Sequence, residues 1–98
     1  MMVVGTLLIE LRLPGNHSLK GKRQVVKSLL ARLHNRYNVA AAEVDNNDRW
    51  QVATIGVACV SNSAPHAREI LENVVAFVEA DRLDLEVVET AIEVEQAF

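Results

Sequence analysis

The sequence predicts an α+β fold in which two helices cover one face of a four-stranded antiparallel sheet. Four segments have the composition or the alternating apolar period of strands, and two have the three- to four-residue period of helices. The segments follow the order β-α-β-β-α-β, which is typical of the ferredoxin-like sandwich with strand order 4-1-3-2. A chain of 98 residues holds one core of this kind, so we expect residues 1–98 to form a single domain.

The first half of the chain is predicted to contain strand 1, helix 1 and strand 2. Apolar residues alternate from Met2 to Leu13, and Pro14-Gly15-Asn16 then ends strand 1 in a turn. Ser18 is suited to cap helix 1, which is predicted to run from about Leu19 to Tyr37. The mainly small residues from Val39 to Asp45 are predicted to form strand 2. The apolar stripe of helix 1 comprises Val26, Leu29, Leu30, Leu33 and Tyr37.

The second half is predicted to contain a hairpin, a helix and a last strand. Asn46 to Arg49 have turn chemistry, so strand 3, from Trp50 to Val60, is expected to pair with strand 2. Ser63 is the predicted N-cap of helix 2, which ends near Ala80. Strand 4 is predicted from Leu85 to Val94. The apolar stripe of helix 2 comprises Ile70, Leu71, Val74, Phe77 and Val78.

One face of the sheet is expected to lack cover from the helices, since right-handed crossovers place both helices on the same side. Strand 1 directs Leu8 toward this open face, and strand 3 directs Val52 toward it. An exposed apolar face larger than a few hundred Å² normally contacts a partner. We therefore expect a homodimer through the open sheet face, with Leu8 and Val52 as candidate interface residues. Trp50 is a third candidate interface residue, and its side chain is expected to be a partly buried anchor at the end of the sheet.

Charge is distributed unevenly along the chain. Residues 11–42 contain seven lysines and arginines and no aspartate or glutamate, although the net formal charge is −3. Residues 43–98 contain twelve carboxylates and three cationic side chains. Clustered charges of one sign raise the local concentration of the opposite sign. One surface of the protein is therefore expected to attract anions.

The densest group of polar and cationic residues lies where strand 1 enters helix 1. It comprises His17, Ser18, Lys20, Lys22 and Arg23. Cations in the first turn of a helix oppose its dipole by about 0.3 to 1 kcal/mol each. Backbone amides and cationic side chains there can bind a phosphate oxygen, with Gly21 permitting close approach. The alternative is a solvated helix end without a ligand.

The cationic side chains continue along helix 1 beside its buried stripe. Seen down the helix axis with Val26 as the core direction, four side chains fall between about 60° and 120°. They are Arg23, His34, Lys27 and Lys20. Such a ridge suits a phosphodiester backbone better than a single small anion. Structured RNA or the ribosome is the expected partner, since stacking of single strands needs more aromatic residues than the 4% present.

Other chemistry has little support in the sequence. No zinc signature, Walker loop or nucleophile elbow occurs, so we expect no metal, no cofactor and no catalytic residue. The single Cys59 lies in an apolar run and is predicted to pack in the core. No basic region precedes the apolar N-terminal residues, and no apolar run approaches the roughly 20 residues of a membrane span. We therefore expect a cytoplasmic protein without a membrane partner.

Several motifs along nearly the whole chain resemble a known family. They are His17-Ser18-Leu19-Lys20, Lys22-Arg23, Val26-Lys27-Ser28-Leu29, Ala42-Glu43-Val44-Asp45, Asp48, Trp50-Gln51, Gly56-Val57 and Val60-Ser61-Asn62. In these motifs the chain resembles the YlxP-like family of small bacterial proteins. The resemblance implies a ferredoxin-like fold and transfers no catalytic residues. The genes of that family tend to lie among those for translation initiation and ribosome maturation, which agrees with a ribosome-associated role.

The leading hypothesis is a non-enzymatic protein that binds RNA or associates with the ribosome. Its phosphate contacts are predicted to be Lys20, Lys22, Arg23 and Lys27, with His34 on the same ridge and with His17 and Ser18 shaping the loop. The alternative is a dimeric regulatory or scaffolding module that binds a small anion at the loop between strand 1 and helix 1. A phosphoryl-transfer or phosphatase enzyme ranks third, since some small ferredoxin-like enzymes bind phosphate at this loop.

Overall fold

The computed structural model describes residues 1–80 and 85–98, whose helices and strands occur in the predicted order. The strands are β1 (Val3–Arg12), β2 (Ala40–Asp45), β3 (Val52–Ser61) and β4 (Glu86–Gln96), and the helices are α1 (Leu19–Arg36) and α2 (Ala64–Glu79). The strands form one antiparallel sheet in the order β2-β3-β1-β4, which is the predicted order read from the other edge. The predicted ferredoxin-like α+β fold is therefore confirmed.

The ends of the elements differ from the predicted ends by two residues at most. β3 begins at Val52 instead of Trp50, because the hairpin loop continues through Gln51. β4 extends to Gln96 because that residue pairs with Val3 across the sheet. Ser63 caps α2 as predicted, since its Oγ accepts a 3.3 Å hydrogen bond from the backbone N–H of His66.

β1 alternates between the core and the open face of the sheet. Leu7, Ile9 and Leu11 are buried beneath the helices, whereas Leu8 points to the other side and is 48% exposed. Residues paired directly across an antiparallel sheet share a face, so the register of β1 with β3 continues this alternation. Ile55, paired with Ile9, is accordingly fully buried. The helices thus cover one face, and the opposite face of the sheet lies open.

Gly5 allows α2 to pack closely on β1. A methyl group on Gly5 would lie 2.9 Å from Leu71 Cδ1 and 3.1 Å from Cys59 Sγ. Cys59 is buried in the core as predicted. Burial raises the pKa of the Cys59 thiol, an effect that a backbone hydrogen bond involving Gly5 partly offsets. The raised pKa keeps the thiol protonated at neutral pH.

Candidate nucleic-acid interface

The exposed side of α1 carries a row of basic side chains. Lys20, Arg23 and Lys27 are exposed on its first turns, and His34 is exposed two turns beyond Lys27. His17 is exposed in the loop before the helix. In the part of the chain that the structure describes, these five side chains form no ion pair or hydrogen bond with another residue. Their polar groups are therefore available to a ligand. We call Lys20, Arg23, Lys27 and His34 the cationic ridge.

Lys22 does not belong to this surface, which corrects its predicted role as a phosphate contact. Its side chain is fully buried, with 0% of its surface exposed. Lys22 Nζ lies 2.8 Å from Glu43 Oε2 and donates a 2.6 Å hydrogen bond to the carbonyl oxygen of Asn46. Glu43 Oε2 is itself buried and accepts no aligned hydrogen bond from the described residues, so Lys22 neutralises it as an ion pair. Lys22 therefore acts inside the fold, where its charge needs these partners.

The turn between β2 and β3 is part of the same polar network. Asn46 has a φ of 60°, a left-handed conformation that asparagine adopts more readily than most residues. Asn46 Nδ2 donates a 2.8 Å hydrogen bond to Thr54 Oγ1, and its backbone N–H donates one of the same length to Asp45 Oδ1. Because the Asn46 carbonyl accepts from Lys22, this residue connects α1 to the hairpin.

The N-terminus of α1 is occupied by groups of the chain itself. Ser18 is its N-cap, as predicted, and Ser18 Oγ accepts a 2.9 Å hydrogen bond from the backbone N–H of Gly21. A methyl group on Gly21 would collide with Asn16 Oδ1 and lie 3.1 Å from Ser18 Oγ. The bare Cα of Gly21 therefore accommodates the side chain of Asn16.

The loop after β1 and the loop between β2 and β3 are hydrogen-bonded to each other at one end of the sheet. Asn16 Nδ2 donates to the carbonyl oxygen of Trp50 over 2.6 Å. Gln51 Nε2 donates to the carbonyl oxygens of Pro14, over 3.3 Å, and Asn16, over 3.0 Å. The backbone N–H of Leu13 donates to the Gln51 carbonyl over 2.9 Å. These bonds join two loops that are distant in the sequence.

Trp50 lies where these two loops meet. Its carbonyl anchors the loop, but its side chain is 54% exposed, more than the partly buried anchor that the sequence predicts. The indole lines an open recess of about 470 Å³ together with Arg12, at the end of β1, and Arg49. Val52 lies half-buried in the wall of this arginine–tryptophan recess. The other lining residues are Pro14, Asp48 and Gln51.

Arg12 and Arg49 were not among the predicted site residues, although the sequence contains signals for both. Arg49 directly precedes Trp50 in a predicted turn, and Arg12 is the penultimate residue of the predicted strand 1, which enters the loop that carries the predicted anion site. In the structure Arg12 pairs with Val52 across the sheet, which brings it to the hairpin. The proximity of Arg12 to the hairpin depends on the register of β1 with β3, which the sequence alone does not give.

The open face of the sheet is apolar in its middle and acidic along one edge. Leu8 lines a shallow groove of about 610 Å³, and Val44 packs over Gly56 on the same face. Small side chains widen the groove, namely Ala40, Ala42, Ala58 and Ala91. The register of β4 with β1 places the carboxylates of Glu89, Glu93 and Glu95 on this face, together with those of Glu10 and Glu86 at its end. Of the three predicted interface residues, Leu8 lines the groove, whereas Val52 and Trp50 line the arginine–tryptophan recess.

The arginines near the end of α1 lie away from the cationic ridge. Arg36 covers the ring of Phe77, with 5.3 Å from its guanidinium carbon to the ring centroid. Tyr37 meets the same ring edge to face, with the ring centroids 5.9 Å apart. Arg32 Nε donates a 3.4 Å hydrogen bond to the Ser28 carbonyl. Arg36 therefore helps to join the end of α1 to α2.

The side chains that could bind a metal ion are dispersed. No group of three or more histidine, cysteine, aspartate or glutamate side chains within residues 1–80 and 85–98 is placed to hold a metal ion. Neither α1 nor α2, the helices of these described ranges, combines the length and the hydropathy needed to cross a bilayer.

Comparison with known proteins relates this sequence to one family and to one curated protein. The sequence model of a family described as "Protein of unknown function (DUF503)" matches residues 4–92. The uncharacterised protein YlxP of Bacillus subtilis (strain 168) is 40% identical over 63 residues, which cover 64% of this chain and 68% of YlxP. The predicted similarity to YlxP-like proteins is thereby confirmed, and the chain belongs to the DUF503 family.

Proposed function

We propose that the protein binds structured RNA, such as ribosomal RNA, through the cationic ridge and without catalysing a reaction. The observation that carries this proposal is the row of exposed cations on α1 that have no carboxylate partner within the described residues. A phosphate that pairs with such a cation releases condensed counterions, and this release favours association. His17 extends the polar surface into the loop before the helix.

The length of the cationic ridge favours an extended polyanion. A rise of about 1.5 Å per residue separates Lys20 from His34 by about 21 Å along the helix axis, with the other two side chains between them. A small anion can contact one or two of these side chains. A nucleic-acid strand carries a phosphate every few ångströms and can contact all four.

The two other hypotheses receive less support. A small anion at the loop after β1 has fewer groups available than the sequence predicts, because Lys22 binds Glu43 and Ser18 binds the amide of Gly21. A phosphoryl-transfer enzyme would use the same groups to orient its substrate. RNA binding through the cationic ridge does not require the side chains of Lys22 and Ser18.

The proposal predicts that binding of an RNA hairpin weakens steeply with salt. Three phosphate contacts give a log–log slope of about −2 to −3, so affinity falls about 20- to 60-fold when the salt concentration rises fourfold. The triple variant Lys20→Gln, Arg23→Gln, Lys27→Gln is expected to bind at least about tenfold more weakly at low salt and to lose most of this slope. Fluorescence anisotropy of a labelled hairpin measures both quantities.

Arg68 provides the matched control, since it is an exposed cation on α2 and lies outside the cationic ridge. The Arg68→Gln variant is expected to bind as the wild type does. Equal affinities of the triple variant and the wild type, or no binding by the wild type at low salt, would contradict the proposal.

We also propose that two copies associate through the open face of the sheet. The exposed side chain of Leu8 and the apolar groove beside it support this, because apolar faces of this kind normally contact a partner. A face-to-face pair brings the carboxylates of Glu89, Glu93 and Glu95 from both copies into one interface. Their repulsion opposes association and is screened by salt.

Self-association is therefore expected to strengthen with salt, in contrast to RNA binding. Sedimentation equilibrium at micromolar protein should give a smaller dissociation constant as salt rises from about 50 to about 500 mM. Leu8→Asp is expected to give a monomer, whereas Ala76→Asp adds the same charge to an exposed position of α2 and leaves the dimer intact. A wild-type protein that stays monomeric throughout would refute this proposal.

A further inference from the structure

The arginine–tryptophan recess combines a stacking surface with two cationic groups. The indole of Trp50 is 54% exposed, and Arg12 and Arg49 are both exposed beside it. Asp48 also lines the recess, so these four side chains together carry a net formal charge of about +1. Aromatic rings and guanidinium planes are the protein groups on which unpaired RNA bases stack.

The two arginines keep their donors available. Both also line a neighbouring recess that contains Glu10 and Glu86, but neither forms an ion pair with these carboxylates or with any other described residue. A guanidinium presents donors in a planar fork that matches two phosphate oxygens. The recess can therefore bind a phosphate next to a stacked base.

The recess is held in place before any ligand arrives. The carbonyl of Trp50 accepts from Asn16, and Gln51 donates to both Pro14 and Asn16. The loop is thus fixed on both sides of the indole, which lowers the ordering entropy that binding would cost. Asn16 also precedes the N-cap of α1, so the recess lies beside the end of the helix at which the cationic ridge begins.

We propose that the arginine–tryptophan recess binds one unpaired nucleotide of an RNA whose paired region lies on the cationic ridge. The base stacks on the Trp50 indole, and Arg12 and Arg49 bind the phosphates that flank it. This inference rests on the proposed RNA binding and adds a preference within it. The protein selects paired RNA that carries a bulged or terminal unpaired nucleotide over fully paired RNA.

Trp50 is the single tryptophan of the chain, so its fluorescence reports on the recess alone. The test compares an RNA hairpin that carries a one-nucleotide bulge with a fully paired hairpin of otherwise equal sequence. The bulged RNA is expected to quench the Trp50 emission and to bind about tenfold more tightly, which is within the range measured for stacking of one base. Titration of N-acetyltryptophanamide with the same RNA corrects for absorption of light by the RNA.

Variants of the recess separate this inference from the proposed function. Trp50→Leu and Arg49→Gln are expected to lose the preference for the bulged RNA while they bind the paired RNA as the wild type does. Trp50→Phe keeps an aromatic ring and is expected to retain part of the preference, and thermal unfolding checks that each variant is folded. Equal binding of the two RNAs by the wild type, without quenching, would overturn the inference and leave the proposed function standing. Failure of the wild type to bind either RNA would overturn both.

Discussion

Replacing Lys22 with methionine is expected to destabilise the protein by about 3 to 5 kcal/mol, which is the cost of removing one partner from a buried ion pair. The substitution leaves Glu43 Oε2 buried without its ammonium partner and the Asn46 carbonyl without its 2.6 Å hydrogen bond. The lost interactions also connect α1 to the hairpin. Urea denaturation followed by circular dichroism measures the change in the free energy of unfolding.

Two further variants test the cause of this loss. Lys20→Met removes an exposed lysine two residues earlier on the same helix and is expected to change stability by less than about 0.5 kcal/mol. The double variant Lys22→Met, Glu43→Met removes both charges and is expected to recover at least half of the lost stability, because an apolar pair can replace a buried ion pair. A Lys22→Met variant as stable as the wild type would show that the pair contributes little.

Replacing Leu71 with alanine is expected to cost about 2 to 5 kcal/mol, the range for a buried leucine whose removal leaves a cavity. Leu71 is fully buried on α2, and its Cδ1 occupies the space directly above Gly5. Gly5→Ala alone is expected to cost about 1 to 3 kcal/mol, because the new methyl group would lie 2.9 Å from that carbon atom. Thermal and urea unfolding measure both effects.

The two substitutions should not be additive. In the absence of the leucine side chain, the methyl group of Gly5→Ala fills part of the cavity, so the double variant is expected to be at least about 1 kcal/mol more stable than the sum of the single effects predicts. Leu33→Ala is the matched control, since Leu33 is equally buried but lies on α1. Additive losses for Gly5→Ala with Leu71→Ala would contradict the close packing of α2 on β1.

The fold could be predicted because its signals are local. The alternation from Met2 to Leu13, the capping serines Ser18 and Ser63, and the turn residues after strand 2 each identify an element without reference to the rest of the chain. The order of these elements is then compatible with few sheet topologies, since crossover connections in a sheet are almost always right-handed. The same local signals placed the exposed cations of α1 on one side of the helix.

The prediction for Lys22 was wrong because it rested on the charge of the lysine and not on the position of residue 22 around the helix axis. With Val26 at 0°, Lys22 lies at about 320° around the helix axis, between Leu29 at about 300° and Leu33 at about 340°. This is the middle of the buried stripe. The helical period therefore indicated that Lys22 points into the core, where a carboxylate from another element would have to meet it.

The partner of Lys22 and the arginine–tryptophan recess depend on contacts between distant parts of the chain. Glu43 is an unremarkable carboxylate in a short strand until that strand is paired with β3. The exposure of Trp50 likewise depends on the loop after β1, whose Asn16 holds the backbone of the hairpin and leaves the indole outside. No periodicity in the sequence encodes either arrangement.

The cationic ridge and the carboxylates of the open face place opposite charge on the two sides of the sheet. The cationic ridge lies on the helical side, whereas the carboxylates of Glu89, Glu93 and Glu95 lie on the opposite face. For the RNA binding proposed above, this arrangement is expected to turn α1 toward the polyanion before any contact forms and so to raise the fraction of collisions that lead to binding. In the proposed RNA complex the open face would point away from the helical side, so a second copy of the chain could associate there while α1 is occupied.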